Sequence, residues 1–93
     1  MMTSYEYEVI CKNALIKFLA ETYNESLTIK DLHLVWFSKT LQNYKCVIVD
    51  LNENQRYYEC TYNGDKKEIY LDVYNKEYNV VINNSDFNSE VVI

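Results

Sequence analysis

The hydrophobic period changes once along this chain, and that change limits the fold more than any other feature. From Thr3 to Tyr23, Tyr7, Cys11, Ala14, Leu15, Phe18 and Thr22 recur at three- and four-residue spacing. This spacing puts them on one face of an α-helix. Thr3-Ser4-Tyr5-Glu6 marks the start as a capping box, in which Thr3 accepts from the Glu6 amide and Glu6 reaches back to Thr3. Asn24-Glu25-Ser26 ends the helix and opens a loop.

From Leu32 onward the period is two. Strands are predicted over Leu32 to Ser38, Tyr44 to Leu51, Arg56 to Tyr62 and Lys67 to Tyr74, with a shorter fifth over Tyr78 to Ile82. The links between them are short and hold turn formers such as Gln42-Asn43 and Asn63-Gly64-Asp65-Lys66. Short links imply antiparallel neighbours. The expected fold is α+β: one N-terminal helix packed on a four- to five-stranded antiparallel meander sheet. Residues 1–82 form one domain in this reading, and residues 83–93 a loosely ordered tail. Gly64 is the only glycine and is expected where the backbone needs a positive φ.

A register follows from charge. A four-residue loop over Asn63 to Lys66 pairs Tyr62 with Lys67, Cys60 with Ile69, Tyr58 with Leu71, Thr61 with Glu68 and Glu59 with Tyr70. A two-residue turn at Asn63-Gly64 would oppose Glu59 and Glu68, two like charges. The expected inner face then holds Leu34, Trp36, Val47, Val49, Tyr58, Cys60, Ile69, Leu71 and Val73, covered by the helix. The expected outer face holds Val35, Phe37, Lys39, Ile48, Tyr57, Glu59, Tyr70, Asp72 and Tyr74, together with His33 and Cys46. One helix covers only one side of a sheet, so this second, aromatic side is the candidate protein interface.

Reaction chemistry has little to work with. No GxSxG, HExxH or phosphate-loop pattern occurs. His33 is the one histidine and reads as a half-exposed strand residue rather than a base. No catalytic residue and no cofactor is expected, and the chain reads as a non-enzyme. Cys11, Cys46 and Cys60 have neither CxxC spacing nor a nearby histidine, so no metal site is expected and the thiols read as reduced and mostly buried.

The net charge of −5 argues against direct nucleic-acid binding and against anionic membranes. It fits a partner with a basic surface. Residues 51–93 carry eight acids against four bases, so imitation of nucleic-acid phosphates is one way to occupy a basic groove. No apolar run reaches the roughly 20 residues of a membrane span, and the N-terminus has no secretory pattern.

Several stretches resemble a known family. They are Trp36-Phe37-Ser38-Lys39-Thr40-Leu41-Gln42-Asn43 with Lys45, the run from Tyr57 to Glu68, and the run from Tyr70 to Lys76. Together they resemble small uncharacterised proteins, recorded as a domain of unknown function, from phages and prophages of Gram-positive bacteria. The resemblance covers roughly residues 5–82. It implies a small accessory protein in the bacterial cytoplasm, and it carries no catalytic residues. By analogy, such proteins act by stoichiometric binding of a host protein, for example a nucleic-acid-binding defence effector, as anti-CRISPR proteins do. The alternatives are a homodimer serving phage replication or assembly, and a module that stacks a small ligand or nucleotide on its tyrosines.

Overall fold

The computed structural model describes residues 2–50, 56–75 and 80–83. Helix α1 spans Ser4–Tyr23, and four strands follow: β1 (Leu32–Thr40), β2 (Asn43–Asp50), β3 (Arg56–Asn63) and β4 (Glu68–Asn75). All ladders are antiparallel and the order is β1-β2-β3-β4, a meander with the helix on one face. The expected α+β fold is therefore present, with four strands among the described residues. Of the fifth predicted strand, Val80 to Ile82 is not in strand conformation, and Tyr78 and Asn79 lie outside the described residues, as do Leu51 and most of the tail.

The helix starts where its capping box places it. Thr3 Oγ1 accepts from the Glu6 amide at 3.2 Å and the Thr3 amide donates to Glu6 Oε1 at 3.2 Å, satisfying two of the amides that a helix start leaves free. Asn24 ends it in the left-handed region at φ 56°, a conformation asparagine tolerates. The buried stripe is Tyr7, Cys11, Lys12, Leu15 and Leu19. Leu19 replaces the expected Thr22, which is exposed. Lys12 reaches Glu8 at 2.8 Å, so its stem is buried with its charge compensated. Among the described residues no helix is long and apolar enough to cross a membrane.

The helix stripe meets Leu32, Tyr44, Cys46, Ile48, Tyr58 and Cys60 in one core. The inner face thus differs from the expected one on β1 and β2. Cys46 and Ile48 are fully buried, so they face the helix, while Val47 and Val49 point to the other side. The cause is a bulge. Leu34 pairs with Ile48 and Trp36 with Val47, leaving Val35 as the extra residue. One inserted residue inverts every side chain beyond it. Phe37, opposite Cys46, and Lys39, opposite Tyr44, therefore turn inward, and Trp36 turns out, 51% exposed. The Phe37 ring stacks on Tyr44 at 5.8 Å and Tyr44 on Tyr7 at 5.1 Å. Lys39 Nζ lies 5.7 Å from the Tyr7 ring centre.

The β3–β4 hairpin keeps the expected faces but not the expected partners. Tyr62 pairs with Ile69, Cys60 with Leu71, Thr61 with Tyr70 and Glu59 with Asp72. The loop is Gly64 to Lys67, one residue later than expected. Asn63 Oδ1 accepts from the amides of Asp65 and Lys66 at 3.1 and 3.2 Å, so Asn63 stays in the strand and opens the turn with its side chain. The positive φ falls on Lys67 (54°), not on Gly64. Gly64 serves close approach instead. Its amide donates to the Gln42 carbonyl at 3.0 Å, and a Cβ at this position would sit 2.2 Å from that oxygen.

The β1–β2 link is the two-residue turn Leu41-Gln42. Leu41 has φ 55° and is 77% exposed. A side chain with a Cβ in this region costs about 1–2 kcal/mol. Leu41→Gly is expected to raise stability by about 1 kcal/mol, read as a higher urea midpoint at unchanged slope.

A tie at the other end of the sheet fixes the loop after the helix. The Arg56 guanidinium donates to Glu25 Oε1 and lies 4.4 Å from the Tyr23 ring centre. It joins the start of β3 to the helix C-terminus by charge and by cation–π contact.

Candidate protein-binding face

The outer face can be read off the ladders row by row. One row is His33-Val49-Tyr57-Tyr74, the next Trp36-Val47-Glu59-Asp72 and the third Ser38-Lys45-Thr61-Tyr70. Residues directly opposite in antiparallel strands share a face, so each row crosses all four strands. Trp36, Tyr57, Tyr70 and Tyr74 are all exposed large side chains. Tyr57 and Tyr74 stack with centroids 4.8 Å apart and an 11° interplanar angle. Tyr70 donates to Glu68.

Charge is concentrated at the centre of this face. Glu59 and Asp72 are directly opposed on β3 and β4, the kind of like-charge opposition that the sequence-derived register avoided. Lys45 Nζ sits 2.8 Å from Glu59 Oε1, and this hydrogen bond holds the Lys45 ammonium above its ordinary pKa. Asp72 adds a further negative charge to the same row. The field of Glu59 also pushes the Tyr74 phenol above its ordinary pKa. A shallow depression of about 370 Å3 lies alongside, between Trp36, Lys45, Thr61 and Tyr70.

Of the expected interface residues, Tyr57, Glu59, Tyr70, Asp72 and Tyr74 lie together on this face. Val35 is exposed at the bulge. Phe37, Lys39 and Ile48 lie on the helix side, because the bulge inverts β1 beyond Leu34 and the β2 parity follows. Trp36, Val47 and Lys45 take their places. The position of Lys45 could have shown this: it shares parity with Val47 and Val49, and a lysine is a poor inner-face residue.

A second cluster lies in the core. Cys11, Cys46 and Cys60 are free thiols, with their three Sγ atoms within 4.8 Å of one another. A thiolate at Cys11 would accept S–H from Cys46 and Cys60, which lowers its pKa, and the same contacts together with burial raise Cys60. Spacing hid the cluster, since it forms only once the helix docks on β2 and β3. The expected β2 parity hid it further, because it placed Cys46 on the outer face and Cys60 on the inner one, whereas the two are direct cross-strand partners.

No curated protein and no solved structure matches the chain. A family model matches residues 8–84, which takes in α1 from its second turn and every strand of the sheet. The chain thus belongs to a family of unknown function, DUF6275.

Proposed function

We propose that the chain is a binding protein without enzymatic activity, and that its outer sheet face grips a basic surface on a host protein. One observation carries this reading: four exposed aromatics surround a directly opposed carboxylate pair, Glu59 and Asp72. Like charges directly across a ladder repel; Lys45, bonded to Glu59 at 2.8 Å, offsets part of this, and a partner Arg or Lys would complete the neutralisation at Asp72. Tyr and Trp around such a pair have the composition of interface hot spots. The resemblance to phage and prophage proteins supplies the setting, the bacterial cytoplasm. A host defence effector with a nucleic-acid-binding groove offers the required basic surface, and blocking it one-to-one is the inhibition we propose.

The test measures inhibition of host immunity against an infecting phage together with affinity for the captured effector. Trp36→Ala combined with Tyr57→Ala is expected to weaken binding by at least about 30-fold, the equivalent of about 2 kcal/mol. Asp72→Asn is expected to weaken binding while leaving the free protein as stable or slightly more stable. Variants that inhibit as well as the wild type would place the interface elsewhere. Homodimerisation through the same face is the competing use of it; a one-to-one binder is monomeric by light scattering at high micromolar concentration.

A further inference from the structure

The core cysteines meet at one point from three separate elements: Cys11 from α1, Cys46 from β2 and Cys60 from β3. All three are fully buried. Cysteine often serves as a small apolar filler, but filling a core does not require three sulfurs to converge. Ligation does require it. Metal–sulfur bonds of about 2.3 Å put three trigonal sulfurs about 4.0 Å apart, and these lie within 4.8 Å of one another before any adjustment.

The donor set selects the ion. Thiolates favour soft cations. Structural zinc takes four ligands, and no His, Asp, Glu or further Cys joins the cluster among the described residues. Burial also leaves no water-facing fourth position. Monovalent copper is soft and accepts three sulfurs. We propose that Cys11, Cys46 and Cys60 form a three-coordinate site for a soft monovalent cation of the copper(I) class, one ion per chain. No electron moves on binding: the ion stays monovalent, and each S–H that becomes a ligand releases its proton to solvent. Affinity should therefore rise with pH. The site lies under the helix, on the opposite side of the sheet from the proposed interface, so either proposal can fail without the other.

The sealed position also predicts how the ion enters. Loading should be fast during refolding and slow into the folded protein, which must first lift the helix from the sheet. The test refolds the reduced full chain anaerobically with copper(I) and then titrates a chromophoric copper(I) chelator against it. We expect one copper per chain, a thiolate-to-copper charge-transfer band and three sulfur neighbours by X-ray absorption. Cys11→Ala, Cys46→Ala and Cys60→Ala should each lower affinity by more than about 100-fold, beyond what losing an outer-shell partner costs. Circular dichroism checks that each variant folds. The wild-type competition decides on its own: if the refolded protein leaves all copper with the chelator, the cluster is packing alone. Affinity undiminished by any one substitution, or a four-coordinate zinc complex that excludes copper(I), would also overturn the proposal.

Discussion

Ile48→Ala is expected to lower the unfolding free energy by about 2–5 kcal/mol, and Trp36→Ala to change it by less than about 1 kcal/mol. By size alone the order should be reversed, since tryptophan carries far more apolar area than isoleucine. Placement decides instead. Ile48 is fully buried between the helix and the sheet, while Trp36 is 51% exposed on the far side. For a domain of 60–100 residues, each kcal/mol moves the melting temperature by about 4–8 °C, so calorimetry separates the two variants. The comparison also tests the Val35 bulge. A regular β1 would bring Trp36 back under the helix, and Trp36→Ala would then be the more damaging change.

Gly64→Ala is expected to cost about 2–4 kcal/mol, combining backbone displacement with the loss of one hydrogen bond. The glycine amide and the Gln42 carbonyl are bonded at 3.0 Å. The new Cβ would lie 2.2 Å from that same oxygen, so the bond and the methyl group cannot coexist. Because the obstacle is backbone, no rotamer of Gln42 removes it. Gly64→Asn separates this cause from the usual one. Asparagine is well tolerated at positive φ and would be mild if left-handed backbone were the requirement. With close approach as the requirement, it should be at least as damaging as alanine. Chemical denaturation of the two variants side by side reads the difference.

Helix and strands were largely legible because local signals agreed. The Thr3–Glu6 capping box, the Asn24 end and the turns at Gln42-Asn43 and Asn63-Gly64-Asp65-Lys66 fall within a residue or so of the observed boundaries. The faces of β1 and β2 were not legible. Cys46 and Ile48 on one parity and Val47 and Val49 on the other are equally apolar, so alternation could not choose between them. The choice rested on Val35, a residue with no local signature of a bulge. The β3–β4 pairing slipped by two residues because the Asn63 side chain opens the turn from within the strand. A shift of two preserves the faces, and so Tyr57, Glu59, Tyr70, Asp72 and Tyr74 were placed on the outer side from sequence while Phe37, Lys39 and Ile48 were not. The thiol cluster exists only in tertiary structure, since residues 11, 46 and 60 share no motif.

The meander also sets how quickly the chain can reach this state. Each ladder joins strands that are consecutive in sequence, so the sheet can close one hairpin at a time with little loop entropy lost at each step. The helix contacts β3 from far away in sequence, which makes its docking the costly event and the natural barrier. With no proline in the chain, no slow isomerisation of a prolyl bond interrupts refolding. Stopped-flow refolding should therefore give one dominant phase, complete well before the tens of seconds typical of such isomerisation, and Leu15→Ala, at the helix–sheet contact, should slow it.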